Sequence, residues 1–182
     1  MNKEKKDSSR FWDRRSKVYD KQVLAAYGSA YKKTVKRSAA FLGREDEILE
    51  IGCGTGDVTI PLSRYVKKIT ALDTSELMMN KAREKAEHEG KTNIEFVNMD
   101  LMELEAEPES FDAVTAYNVL LYMKNQEEVL DRIHSLLKPG GIFISATDCL
   151  GRNLSPDAVR KFWRSNLGLQ PYVSYETPIG LM

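Results

Sequence analysis

The chain has 182 residues, of which 42% are hydrophobic and 30% charged, with 27 basic and 27 acidic side chains. These values exclude a largely disordered chain and fit one globular domain that can bury a core. No apolar run approaches the roughly eighteen residues that cross a membrane, and the N-terminus is charged where a secretory signal would be apolar. The two cysteines, Cys53 and Cys149, match no metal-ligand spacing. We therefore expect a cytoplasmic protein with reduced thiols, no metal site and no membrane partner.

Charge is unevenly distributed along the chain. Residues 1–44 carry thirteen Lys or Arg and four Asp or Glu, so a basic segment precedes an acidic remainder. The first explanation of this segment is that its basic side chains lie on helix faces exposed to solvent. The second is that they attract an anionic acceptor. Nucleic acid is not favoured as a partner, because no recognisable binding motif accompanies the basic residues.

The N-terminal segment is predicted to be helical. Residues 1–9 are almost wholly polar and predict a disordered start. A short helix with aromatic residues among its charges is expected over residues 10–19, and a second over Ser29–Leu42, where apolar residues recur at helical spacing before Gly43. Residues 10–44 would then form a basic helical lid, residues 45–150 a core, and residues 151–182 a C-terminal helix and tail of the same domain.

The stretch ILEIGCGTGD, residues 48–57, predicts a buried strand that runs into a glycine turn and then a helix. Such a turn lets a ligand approach the main chain, and the helix start offers free N–H groups. The spacing is G-x-G-x-G, which differs from the G-x-G-x-x-G of dinucleotide sites. Glu50 would repel a pyrophosphate but suits an amino group. A glycine turn without a ligand is the alternative for this motif alone.

These residues resemble the first motif of class I S-adenosylmethionine-dependent methyltransferases. The resemblance runs from about residue 10 to residue 150 and includes the later LLKPGGIFIS segment. It implies a Rossmann-like fold and S-adenosylmethionine as cofactor, with S-adenosylhomocysteine as product. In such enzymes an N-terminal lid segment closes over the cofactor, and the resemblance implies that Tyr19 contacts the cofactor from this segment. In the glycine turn, the residues that the resemblance assigns to cofactor binding are Glu50, Gly52, Cys53 and Gly54.

The second predicted strand, Lys68–Asp73, ends in an acid. A carboxylate at the end of the strand next to the glycine turn can accept hydrogen bonds from both ribose hydroxyls, so Asp73 is the predicted ribose ligand. A charge at the start of the next helix is the competing explanation. Thr74 or Ser75 is the expected N-cap, with Thr74 beside the cofactor. Met78 would touch the adenine or pack in the core.

The third and fourth strands contribute the adenine side of the predicted site. Strand 93–98 leads to Asp100 and Leu101, which the resemblance assigns to the adenine amino group and ring. Strand Phe111–Tyr117 leads to Asn118 at the mouth of the crevice. Members of the family often carry a histidine pair shortly after this strand, whereas this chain has Leu121 and Tyr122. A helix over residues 126–137 and a fifth strand over residues 142–147 follow.

Alternating strands and helices predict a doubly wound parallel sheet with helices on both faces, and the resemblance implies the order 3-2-1-4-5. Members of the family normally add a sixth and a seventh strand. Here one more helix, residues 156–166, and a doubtful strand, residues 172–175, follow instead. Strand 5 would be an apolar edge, which predicts a homodimer through that edge or through a swapped tail.

The predicted function is methyl transfer to a small-molecule acceptor by in-line displacement. A base is needed only if the acceptor atom holds a proton, and the candidates are Tyr19, Tyr122 and Asp148. A protein that binds S-adenosylmethionine without catalysis is the alternative. An NAD-dependent oxidoreductase is less favoured, because it should show G-x-G-x-x-G and a further half of the sheet.

Overall fold

The computed structural model describes the backbone of residues 3–147 and the side chains of residues 9–21 and 28–147. These residues belong to a unit that spans Met1–Ala146, apart from Thr147, the first residue of a second unit, Thr147–Met182. Asp148, Cys149 and the predicted elements at residues 156–166 and 172–175 lie outside the described residues. The division of the chain into lid, core and tail therefore stays a prediction.

In the described part of the chain, five parallel strands form one sheet in the order β3-β2-β1-β4-β5, as predicted. The strands are β1 (Glu47–Ile51), β2 (Lys68–Asp73), β3 (Ile94–Asn98), β4 (Phe111–Tyr117) and β5 (Leu137–Ala146). Ile51 at the end of β1 lies opposite Leu72 of β2 and Ala116 of β4. The residues that follow these three strands therefore meet at one edge of the sheet, the carboxyl edge.

Within residues 3–147, four α-helices accompany the sheet: α1 (Lys3–Ala39), α2 (Thr59–Leu62), α3 (Glu76–His88) and α4 (Gln126–Leu136). In α3 the Ser75 hydroxyl accepts a hydrogen bond from Met78 N, so of the two predicted candidates, Thr74 and Ser75, the N-cap is Ser75. The apolar stripe of α3 is buried, as is that of α4. Helix and sheet thus share a core in which Ile48, Leu49 and Ile51 of β1 are at most 2% exposed.

Helix α1 differs from the prediction of a disordered start and two separate helices, because it is continuous from Lys3 to Ala39. Gly28 lies inside it and costs about 1 kcal/mol relative to Ala. Contacts with the core on both sides of Gly28 offset this cost. The Ser9 hydroxyl donates to the carbonyl oxygen of Thr74, and Tyr117 contacts Ser38. Composition alone does not reveal such long-range contacts.

Strand β5 begins at Leu137, five residues before the predicted start at Ile142. The segment with Pro139 and two glycines is therefore part of the strand, with an irregularity in its pairing opposite Phe111 and Ala113. A Cβ at Gly141 would lie 2.9 Å from the carbonyl oxygen of Lys138, so the close backbone approach requires glycine there. Among the described residues β5 pairs with β4 alone. The homodimer through its outer edge stays a prediction.

A buried hydrogen bond between α1 and β4 provides a test of this packing. The Tyr117 hydroxyl donates to Ser38 Oγ over 2.8 Å, and Ser38 is 3% exposed. Replacing Tyr117 with Phe or Ser38 with Ala leaves a buried hydroxyl unpaired, which costs about 1 to 3 kcal/mol. We expect the double variant to cost less than the sum of the two single variants in urea unfolding. Additive costs would contradict this role for the hydrogen bond.

Candidate functional site

The glycine turn lies at the carboxyl edge of the sheet, directly after β1. Gly52 has a φ of 71°, and a Cβ there would lie 2.5 Å from Cγ2 of Val119. Gly54 has a φ of 55°, and no atom lies within 4 Å of the position where its Cβ would be. Packing therefore requires glycine at the first position. At Gly54 the main chain faces open space that a ligand can enter.

Asp73 connects the glycine turn to the start of α3. Its Oδ2 accepts a hydrogen bond from Gly54 N, and its Oδ1 accepts one from Ser75 N, both over 2.8 Å. Burial raises the pKa of Asp73, while these backbone hydrogen bonds offset part of the rise. Each carboxylate oxygen can accept a second hydrogen bond. Asp73 is thus held in place by the main chain and retains acceptor capacity for a ligand.

Glu50 is a buried acid at the end of β1, 2% exposed. Burial raises its pKa to about 7, and the nearby Asp73 charge adds to the rise. The neighbouring Thr59 hydroxyl lowers the pKa in part. Among the described residues, however, neither Glu50 Oε2 nor Thr59 Oγ1 has a hydrogen-bond partner. A buried carboxylate oxygen without a partner indicates that a donor group completes this site.

The N-terminal part of α1 lies against the loop that follows β2. Asp13 Oδ1 accepts hydrogen bonds from the Ser75 hydroxyl over 2.7 Å and from Leu77 N over 3.3 Å. Ser9 contacts the carbonyl oxygen of Thr74, as described above. Helix α1 therefore contacts the residues on both sides of Ser75, next to the predicted ribose ligand. The sequence places Asp13 in the predicted lid segment but gives it no contact, because its partners are more than sixty positions away.

A partly buried ion-pair group connects α1 to the glycine turn and α3. Lys85 Nζ is 3.0 Å from Asp20 Oδ2 and 2.9 Å from Asp57 Oδ1. The other oxygens, Asp20 Oδ1 and Asp57 Oδ2, are buried and have no hydrogen-bond partner among the described residues. Two carboxylates thus share one lysine beside the glycine turn. Sequence reasoning missed this group as well, since no local spacing connects residues 20, 57 and 85.

An aromatic group surrounds Trp12. Its ring centroid lies 5.2 Å from that of Tyr122, 6.1 Å from that of Tyr19 and 5.1 Å from that of Phe11, all edge to face. Burial, a hydrogen bond with Tyr31 and the Asp57 charge all raise the pKa of Tyr19. A phenolate at Tyr19 is therefore disfavoured near neutral pH, which weakens it as a candidate base. Tyr122 is 57% exposed and lies in the short turn that follows β4. We call the surface at the carboxyl edge bordered by the glycine turn, Asp73 and residues 118–122 the crevice.

The predicted adenine residues have local roles in the structure. Asp100 Oδ1 accepts a hydrogen bond from Met102 N and so caps a short 3-10 turn, Leu101–Glu103. Leu101 is 1% and Met78 2% exposed, so both pack in the core. Asn118 follows β4 with a φ of 52°, and its N–H donates to the carbonyl oxygen of Ala146. Their contacts with a cofactor stay predictions.

The structure brings several predicted residues together. Gly54 contacts Asp73, Cys53 N donates to the carbonyl oxygen of Leu72, and Asn98 holds the backbone of Asp73 from the β3 side. Cys53 is 6% exposed, and burial raises the pKa of its thiol. Among the described side chains, residues 9–21 and 28–147, no group of three or more His, Cys, Asp or Glu is arranged to hold a metal ion. In the same range, no helix has the length and apolar character needed to cross a bilayer.

Comparison with known proteins identifies the family. A family model described as a methyltransferase domain matches residues 48–141, which include the glycine turn, Asp73 and Asp100. The chain belongs to this family. The predicted membership of the class I S-adenosylmethionine-dependent methyltransferases, made from the motif at residues 50–56, is thereby confirmed.

Curated relatives carry methyltransferase names. Demethylmenaquinone methyltransferase of Lactococcus lactis is 42% identical over 112 residues, which are 60% of this chain and 44% of that protein. Sterol 24-C-methyltransferase of Gibberella zeae is 30% identical over 126 residues, which are 65% of this chain and 33% of that protein. The chain thus matches about half or less of the length of these methyltransferases.

Solved structures share the fold. DhpI in complex with SAH is 28% identical, with a TM-score of 0.67 over 79% of this chain and 70% of that chain. SpnF, a [4+2]-cyclase, is 29% identical, with a TM-score of 0.58 over 63% of this chain and 44% of that chain. Since a protein named as a cyclase has this fold too, the fold by itself does not define the reaction.

The requirement for glycine at position 52 can be tested by substitution. Gly52→Ala combines a left-handed backbone with a clash against Val119, whereas Gly90→Ala has a φ of 65° and open space around the new Cβ. Gly90→Ala should cost about 1 to 2 kcal/mol of unfolding free energy. Gly52→Ala should cost clearly more, and adding Val119→Ala should recover part of the difference. Equal costs for the two glycines would disprove the packing argument.

Glu50 predicts a pH dependence of stability. Because its folded pKa is raised from the ordinary value of 4.5 to about 7, the folded protein binds an extra proton between these values. The free energy of unfolding should therefore fall as pH rises from 5 to 8 in the ligand-free protein, by on the order of 3 kcal/mol. Glu50→Gln should remove this decline and be the more stable protein at pH 8.

The matched control for this measurement is Glu87→Gln, at an exposed position of α3. It should leave the decline unchanged. A wild-type protein whose stability does not fall over this range would contradict the raised pKa of Glu50.

Proposed function

We propose that the protein binds S-adenosylmethionine at the glycine turn and transfers its methyl group to an apolar, small-molecule acceptor. The observation that carries the proposal is the arrangement of Glu50, Gly54 and Asp73 around one crevice. Glu50 is a buried carboxylate with an oxygen that has no partner among the described residues, and Gly54 has open space beside its main chain. Asp73, on the neighbouring strand, is a carboxylate held by two backbone N–H groups. Ligands of doubly wound sheets bind at this edge.

The chemistry of these groups fits the parts of the cofactor. The amino-acid end carries an ammonium group, for which Glu50 and the nearby carboxylates of Asp20 and Asp57 are suitable acceptors. The ribose hydroxyls fit the remaining acceptor capacity of Asp73. The residues proposed for the adenine are Asp100 and Leu101, with Asn118 across the crevice. Tyr19 would contact the cofactor from α1.

When bound, the cofactor supplies a methyl group on a positively charged sulfur, which is an electrophile with a good leaving group. The protein then has to align the acceptor with this group and exclude water. Trp12 and Tyr122, in contact at the mouth, are placed to align an acceptor. Tyr122 is the preferred base among the described candidates, because burial disfavours the phenolate of Tyr19. Asp148 remains a candidate outside the described residues.

The proposed acceptor is a molecule with a flat apolar body. The support is twofold: the mouth of the crevice is aromatic, and the relatives include a demethylmenaquinone and a sterol methyltransferase. Aromatic side chains bind such surfaces with large contact area. The basic segment allows an anionic group on the acceptor, as the sequence analysis suggested, but the crevice itself contains mainly carboxylates. We therefore favour the apolar acceptor.

Calorimetry with S-adenosylhomocysteine tests the cofactor site. Asp73→Ala removes the acceptors for both ribose hydroxyls and should weaken binding by at least about 100-fold, since hydrogen bonds to charged groups contribute about 1.5 to 3 kcal/mol each. The matched control is Asp112→Ala. Asp112 also holds a backbone N–H, that of Glu47, and pairs with Lys138, but it lies at the opposite edge of the sheet.

The control should bind like the wild type. Unchanged affinity in Asp73→Ala, or binding of NAD instead, would disprove the site assignment.

Turnover with S-adenosylmethionine tests the reaction. We expect methyl transfer to a demethylated quinone, and Tyr122→Phe should lower kcat more than KM if Tyr122 acts as a base. Sterols and small oxygen, nitrogen and sulfur nucleophiles complete the panel. Cofactor binding without turnover on any acceptor would favour the alternative, a binding protein without catalysis.

A further inference from the structure

Over residues 9–21, helix α1 exposes a row of basic side chains. Four basic residues at positions 10, 14, 17 and 21 are exposed and lie three or four residues apart, which places them along one side of the helix. Both acids among the described side chains of α1, Asp13 and Asp20, face the core and are paired there. Positive charge therefore faces solvent on this helix, although the whole chain has no net charge.

Large apolar side chains are exposed mainly around the crevice. Of the eight that the described residues expose, Phe41 and Tyr65 precede strands and so lie at the amino edge of the sheet. The other six lie on the part of α1 that contacts the crevice or directly after β2, β3 and β4. We call these six residues the apolar rim: Phe11, Val18, Leu77, Met102, Leu121 and Tyr122.

The basic face and the apolar rim are adjacent. Phe11 is 45% and Val18 48% exposed, and their seven-residue spacing places them in a stripe beside the basic residues. Trp12 connects this stripe to the loop of Leu121 and Tyr122 through its ring contact with Tyr122. Asp13 connects it to Leu77 through the backbone N–H of that residue. The basic residues and apolar stripe of α1 thus adjoin the exposed apolar residues that follow β2 and β4.

We propose that these basic and apolar residues bind the anionic surface of a lipid bilayer, with the apolar rim in the headgroup region and the crevice facing the lipid. Helices that lie on membranes combine basic residues with large apolar side chains in this way. Each basic residue near an anionic surface strengthens binding by about fivefold. The expectation of no membrane partner rested on the lack of a spanning run, and a protein that lies on the surface needs none.

A nucleic acid is the competing partner for the basic face. It would use the basic residues through phosphate contacts and would not require the exposed apolar side chains. The rim therefore distinguishes the two partners, since burial of apolar side chains contributes only at the membrane. The concentration of exposed apolar residues at the crevice edge, rather than evenly over the surface, favours the bilayer.

Sedimentation of the full chain with vesicles tests the proposal without any assay of methyl transfer. We expect binding to vesicles of phosphatidylcholine with phosphatidylserine, little binding to phosphatidylcholine alone, and weakening by salt. Arg14→Glu/Lys21→Glu should reduce binding by at least about 25-fold. The matched control, Arg44→Glu/Arg64→Glu, changes net charge equally at exposed positions outside α1 and should retain most of it.

A second pair of variants tests the apolar rim. Phe11→Ser/Leu121→Ser should reduce binding to the anionic vesicles about tenfold, whereas Phe41→Ser/Tyr65→Ser, with similar exposure at the opposite edge, should not. Circular dichroism confirms that each variant is folded.

The proposal is overturned if the anionic vesicles do not bind the wild type, or if both charge variants or both apolar variants weaken binding equally. It is also overturned if a double-stranded oligonucleotide binds more tightly than the vesicles and the Phe11→Ser/Leu121→Ser variant binds it unchanged. These outcomes are independent of cofactor binding, so failure here leaves the proposed function standing.

Discussion

The carboxylate of Asp73 is the interaction on which the crevice depends. It accepts one hydrogen bond from the glycine turn after β1 and another from the cap of α3. These two hydrogen bonds hold the loops after β1 and β2 in a fixed position relative to each other. Helix α1 contacts the same region, because Asp13 accepts a hydrogen bond from the Ser75 hydroxyl. A single, largely buried acid therefore holds the glycine turn and the start of α3 together, and its backbone hydrogen bonds offset part of the cost of its burial.

The charges of the crevice suit a cationic ligand. Glu50, Asp73, Asp57 and Asp20 surround the turn, and Lys85 pairs with the last two of them. Burial raises the pKa of Glu50 and of Asp73, so the ligand-free protein is electrostatically strained at this edge. A cofactor with an ammonium and a sulfonium group would relieve that strain. The basic residues lie on the outer face of α1 instead, which separates attraction of a negatively charged surface from the binding of the cofactor.

Local signals in the sequence predicted the parts of the fold that local chemistry determines. The bounds of β2 and β4, the strand order from the family resemblance and the cap at Ser75 agree with the structure. Other features depend on contacts between residues more than twenty positions apart: the continuity of α1, the pairing of Asp13 with Ser75 and the ion pairs of Lys85. No pattern of spacing reports them. The start of β5 was wrong for a related reason, since pairing with β4 overrode the turn signal of the Pro-Gly-Gly segment.

The central claim is that Asp73 binds the ribose of S-adenosylmethionine while it holds the glycine turn. A crystal structure of the full chain with S-adenosylhomocysteine tests it most directly. The account predicts both ribose hydroxyls about 2.5 to 3.0 Å from the Asp73 carboxylate, with the hydrogen bonds from Gly54 N and Ser75 N retained. It also predicts the ammonium group of the ligand beside Glu50. A ligand bound elsewhere, or a ribose that does not contact Asp73, would contradict the account.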